Sequence, residues 1–221
     1  DFVPDVVLGD GDMIAGAGWT IEALHTPGHT SNHLCFALKE ENILFSGDHV
    51  MGWSTTVVSP PDGNMADYMT SLARLNARPE IVFWPTHGPA IEAPGEFTAA
   101  LIAHRQAREV QIAKCLEDGL ARIPDMVHRM YADVDPALHT AAGRSVLAHL
   151  IHMVHSGRAA CAGEPAGGTG ASVRSAYGDV RAVAMGRAGE RLPRFHRPGG
   201  DGGRGRGAAE PGADAQCGGP D

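Results

Sequence analysis

The chain has 221 residues, is 43% hydrophobic and 5% aromatic, and carries a formal net charge of −8. That length suits one large domain, or one domain with a small companion, around a mainly aliphatic core. The acidic balance is a poor match for non-specific nucleic-acid binding, and the absence of a long apolar run or a basic-then-apolar leader argues against a membrane partner and for a soluble, cytoplasmic protein.

In chain order, Val6-Val7-Leu8 leads into a turn cluster, Gly9-Asp10-Gly11-Asp12. Trp19 to Leu24 alternates as a strand does and runs into Thr26-Pro27-Gly28-His29-Thr30. His33 to Leu38 and Ile43 to Phe45 read as a hairpin over the polar turn Lys39-Glu40-Glu41-Asn42, which feeds Ser46-Gly47-Asp48-His49. Asp67 to Ala77 has helical spacing, with Tyr68, Met69, Leu72 and Leu75 recurring and Asp67 near its start. Ile81 to Trp84 is continuously apolar and predicts a short buried strand delivering Pro85-Thr86-His87-Gly88-Pro89. A long helix is expected from Gly95 to Glu117, a short one from Pro124 to Tyr131, and another from Ala142 to His155 after the break at Asp135-Pro136.

Residues 163–221 differ in kind. They hold 8 Arg, no Lys and 7 acidic residues, against 10 basic and 19 acidic residues in 1–162. Gly, Ala, Arg and Pro dominate, so the segment cannot bury enough apolar surface to offset its ordering entropy, and disorder is expected. A frame-shifted reading of GC-rich DNA is one expected origin for it. The first residue, Asp1, leads us to expect a processed chain or a fragment. Cys35, Cys115, Cys161 and Cys217 are far apart, which fits thiols in a reducing compartment better than a disulfide framework.

Three loops carry the chemistry. Each follows a strand-like run and presents one metal-ligand type: His29, Asp48 and His87. Pro27 stiffens its loop and Gly28 permits a sharp turn. Gly47 lets backbone approach before Asp48, whose two oxygens suit two cations. Any one of these alone reads as a turn residue; their joint order and loop chemistry do not. Thr30, Ser31, His33 and His49 are expected to support the ligands rather than to bind, with Thr30 and Ser31 orienting the His29 ring. His149, His152 and His155 lie opposite their helix's apolar stripe and read as a solvated face. Arg105, Arg108 and Glu109 suggest surface or inter-domain ion pairs.

The stretch from about Asp10 to Gly119 resembles the C-terminal half of the metallo-β-lactamase superfamily, closest to the branch of β-lactamase-like protein 2 and bacterial metallo-hydrolases. Trp53-Ser54-Thr55-Thr56, Pro60-Pro61, His104-Arg105 and Arg108-Glu109 share that branch's detail. The resemblance implies an α/β fold, half of an αββα sandwich over 1–118, then a winged-helix-like region over 119–162 and the tail 163–221. It implies a hydrolase, in the manner of hydroxyacylglutathione hydrolases, with His29 on a first metal, Asp48 bridging and His87 on a second. Two zinc ions are expected, with manganese or iron as alternatives, activating a hydroxide against a thioester, ester or phosphodiester. The family's His-x-His-x-Asp-His string, which includes its catalytic Asp, does not occur here. The alternatives are a catalytically silent fragment, or an endoribonuclease-like role on single-stranded RNA or a nucleic-acid-binding role through the helical tail. The uncovered sheet face of half a sandwich would favour self-association.

Overall fold

A computed structural model describes residues 3–160. All of them lie in one compact unit. The expected tail, with Cys161 and Cys217, lies outside the described residues.

Five strands form one sheet in the order of the chain: β1 (Met13–Gly16), β2 (Trp19–His25), β3 (Leu34–Leu38), β4 (Ile43–Gly47) and β5 (Val82–Pro85). The first four pair antiparallel through short turns, and β5 joins β4 in parallel. The parallel pairing needs a crossover, and helix α1 (Met65–Asn76) supplies it. Asn64 caps α1, its Oδ1 accepting from the amides of Ala66 at 2.9 Å and Asp67 at 3.3 Å. The cap starts the helix two residues before the expected Asp67, which sits in its first turn. Helix α2 (Pro94–Glu117) opens on a proline, which needs no helical N–H partner there.

Strand alternation sorts the sheet into two faces. Leu24, Cys35, Ala37, Leu44 and Phe83 point to a buried side and pack with Tyr68, Leu72 and Leu75 of α1 and Leu101 of α2. The register aligns two rows on the opposite side: Ile21, Leu38, Ile43 and Val82, then Ala23, Phe36, Phe45 and Trp84. There Phe45 is 42% and Trp84 50% exposed. The expectation of a wholly buried strand at Ile81 to Trp84 therefore fails. Only Phe83 is buried, because among the described residues a second layer covers one face of β5 and not the other.

Helices α3 (Ile123–Met130) and α4 (His139–His155) build a second core with the end of α2, from Ile112, Cys115, Leu116, Met126, Val127, Val146, Leu150 and Met153. A 3-10 turn, Pro136–Leu138, capped by Asp135, leads directly into α4. Ala148 of α4 reaches the first core, so α2 and α4 hold the two cores together.

Candidate metal centre

The topology brings three loops to one end of the sheet. Strands β2, β4 and β5 all finish there, and β3 begins there. His29, Asp48 and His87 follow those three strand ends.

After β2 the chain turns sharply under the N-terminus of α1. Gly28 has φ +138°, and a Cβ on it would lie 2.3 Å from the Tyr68 Cα, so only glycine fits. Its carbonyl accepts from the Asn64 amide at 2.9 Å. The His29 ring is then held by the Val57 carbonyl, 2.6 Å from Nδ1. A carbonyl only accepts, so the ring proton sits on Nδ1 and the Nε2 lone pair is free.

At the end of β4, Gly47 takes φ +56°, where a Cβ would lie 2.7 Å from His33 Nε2. That closeness lets the Asp48 amide donate to His33 Nε2 at 3.2 Å. His33 then carries its proton on Nδ1, 2.9 Å from Thr26 Oγ1. Burial holds the His33 pKa below the usual histidine range, which keeps the ring neutral for this relay. Thr56 Oγ1 donates to the Asp48 carbonyl at 2.5 Å and lies 3.1 Å from the His49 carbonyl.

Asp48 faces both histidines with different oxygens. Oδ2 lies 3.8 Å from His29 Nε2, and Oδ1 lies 3.5 Å from His87 Nε2. Both gaps are too long for hydrogen bonds, and Oδ1 is buried without a hydrogen-bond partner. An orphaned carboxylate oxygen between lone-pair donors is electrostatically incomplete without a positive partner. His87 is about half exposed and stacks with Trp53, ring centroids 6.2 Å apart and planes 11° apart. The two loops are closed on each other by the Gly52 amide, which donates to the His87 carbonyl at 2.8 Å.

These donors form two pairs, each one nitrogen and one oxygen, sharing Asp48. The ligand types suit zinc, manganese or iron, but a bound zinc takes three or four protein ligands. Among the described residues, no group of three or more His, Cys, Asp or Glu could hold a metal ion by itself. The residues fit as halves of two coordination spheres, and neither sphere is complete.

The supporting residues differ from expectation. Thr30 and Ser31 do not orient His29 through their side chains. Their backbone groups serve the loop instead: the Thr30 carbonyl accepts from the Gly28 amide, and the Ser31 amide donates to Asp62. His49 is fully buried against Tyr68, with neither ring nitrogen hydrogen-bonded, and burial pushes its pKa down to about 3. Sequence reasoning missed the Val57 carbonyl and Thr26, which have no distinguishing residue pattern. Thr56 stood only as a point of family likeness, and Arg105, expected in a surface or inter-domain ion pair, is instead buried and donates to the Thr56 carbonyl.

Residues 1–87 match the metallo-beta-lactamase superfamily, and residues 123–168 match the beta-lactamase associated winged helix domain. The chain is thus similar over residues 1–87 to a metallo-β-lactamase superfamily domain, and over residues 123–168 to the winged helix domain associated with it. The chain is similar to a beta-lactamase-like protein 2 homolog of Caenorhabditis elegans, 38% identical over 138 residues, covering 62% of this chain and 45% of that protein. It is also similar to an atrochrysone carboxyl ACP thioesterase of Paecilomyces divaricatus, 40% identical over 109 residues, covering 49% of this chain and 33% of that protein. A beta-lactamase domain protein from Burkholderia ambifaria superposes with a TM-score of 0.64 at 27% identity, over 72% of this chain and 50% of its own. The metallo-β-lactamase family protein of Thermus thermophilus gives 0.62 at 26%, over 72% and 52%. The chain thus spans a third to about half of these relatives' lengths.

Proposed function

We propose that this chain carries the C-terminal part of the active site of a metal-dependent hydrolase acting on a thioester or related ester. The observation that carries the proposal is the single carboxylate of Asp48, presenting one oxygen to His29 and the other to His87. Zinc is the preferred ion, with manganese or iron fitting the same donors. A bound divalent ion would supply Lewis-acid polarisation of the substrate carbonyl and a water acidic enough to react at neutral pH. The chain's own residues prepare for it. Val57 fixes the His29 tautomer, His33 and Thr56 grip the Asp48 backbone from both sides, and Trp53 packs on His87. The thioesterase name of the Paecilomyces relative supports a thioester over a phosphodiester, and so does the acidic balance of residues 1–162. The proposal keeps the cytoplasmic location expected from composition. Among the described residues no helix is long and apolar enough to cross a membrane.

A second reading rests on the incomplete spheres: the chain alone is catalytically silent, and the remaining ligands come from outside it. One experiment separates the two. The purified chain is dialysed extensively, its metal measured by elemental analysis, and hydrolysis of an acyl-glutathione thioester followed with added Zn2+. About two retained zinc ions and turnover abolished by Asp48→Asn support the active site. Weak zinc binding through Asp48 without turnover supports the silent reading. Turnover unaffected by Asp48→Asn refutes the metal-centre assignment.

A further inference from the structure

Arg105 of α2 is 4% exposed. Its partners among the described residues are the Thr56 carbonyl, to which Nη2 donates, and the face of Tyr68, 5.1 Å from the guanidinium carbon. Its Nε is buried without a hydrogen bond. A buried guanidinium held by one carbonyl and one ring is costly relative to an apolar side chain of similar size. The position it holds is central to the site. Thr56 reaches the Asp48 carbonyl with its hydroxyl, and the next residue, Val57, accepts from the His29 ring. Two donors that lie on different loops are thus set by one dipeptide, and that dipeptide is pinned from below by Arg105. Tyr68, under the guanidinium, places its hydroxyl 3.3 Å from the His49 carbonyl.

We propose that Arg105 is a positioning residue for the metal half-site: by clamping Thr56-Val57 it sets Asp48 through the Thr56 hydroxyl and the His29 ring through the Val57 carbonyl. The proposal rests on the metal-centre reading for its consequence and on the hydrogen bonds alone for its mechanics, so the two are tested apart. Mechanics come first, by hydrogen–deuterium exchange of the full chain without metal. In Arg105→Met, the segment 47–57 exchanges faster while β2 and β3 do not, and Thr56→Val does the same with less change at Val57. Arg105→Lys, which retains a donor, restores part of the protection. Leu101→Ala, a core truncation on the same helix, lowers global stability without singling out this segment. Unchanged exchange at 47–57 in both Arg105→Met and Thr56→Val overturns the proposal.

The consequence is read by titration with Zn2+ alone and by the visible spectrum of the Co2+-substituted chain. Arg105→Met weakens Zn2+ binding about 10- to 100-fold, the range for losing the support behind a ligand, and alters the Co2+ spectrum; Leu101→Ala does neither. Asp48→Asn is the reference. If it leaves Zn2+ affinity unchanged, the metal reading fails and the exchange data still decide on Arg105. If it abolishes binding while Arg105→Met does not weaken it, the metal reading stands and the proposal for Arg105 falls.

Discussion

At the residue scale, the site depends on backbone that only glycine can supply and on histidines kept neutral by burial. Gly28→Ala adds a Cβ against the Tyr68 backbone at a positive φ, and we expect it to cost about 1–3 kcal/mol in guanidinium unfolding. The buried histidines set the acid limb of stability. His49 has a folded pKa of about 3, below that of the unfolded chain, and His33 is depressed in the same direction. Their contribution is complete above the unfolded value near 6.5 and is lost as pH falls towards the folded pKa, because the unfolded chain takes up protons first. His49→Phe removes two orphaned nitrogens, so it leaves stability at neutral pH nearly unchanged. It flattens the pH dependence below about pH 6 by up to about 1.4 kcal/mol per pH unit. Urea midpoints across that range check this.

At the element scale, α2 is the connector. One turn beyond Arg105, Glu109 accepts from His149, from His152 at 2.8 Å, and from Arg158. Burial alone would raise the Glu109 pKa, but hydrogen bonds from His149, Arg158 and His152 outweigh it and hold the carboxyl at about 2. This inter-element cluster matches the ion pairs expected of Glu109. The expectation that the α4 histidines form a solvated face holds for His155, which is exposed, and fails for His149, which is 1% exposed. The pattern on α4 misled at His149 because the helix is covered on two sides, by α3 along its apolar stripe and by α2 along His149 and His152. We expect Glu109→Gln to destabilise the α2–α4 packing by about 3 kcal/mol, since it strands Arg158 and the two histidines. The α4 amides should then exchange faster, while those of β2 and β3 remain protected.

At the scale of the whole molecule, the described residues bury one face of the sheet and leave part of the other open. One of its apolar rows ends in the exposed Phe45 and Trp84, and exposed apolar patches of this kind drive association. We propose that this face produces self-association of the chain. Sedimentation velocity should show a concentration-dependent shift to larger species, and Trp84→Lys should move the distribution towards monomer. A monomeric wild-type chain at all accessible concentrations would remove this proposal.

Local chemistry was legible in the sequence: the alternation of β2 and β3, the polar turn between β3 and β4, the helical period of α1, and the Gly- or Pro-containing loops that carry His29, Asp48 and His87. Each is decided by nearest neighbours along the chain, where spacing and turn preference act directly. Tertiary structure alone decided which oxygen of Asp48 faces which histidine, that a carbonyl from residue 57 orients residue 29, and that a buried arginine 49 residues away from Thr56 holds that segment. Backbone carbonyls have no sequence signature, and burial depends on which layers are present. Trp84 and His149 show this in opposite directions: a strand that reads as buried lies open where no layer covers it, and a histidine that reads as solvated is enclosed by a second helix.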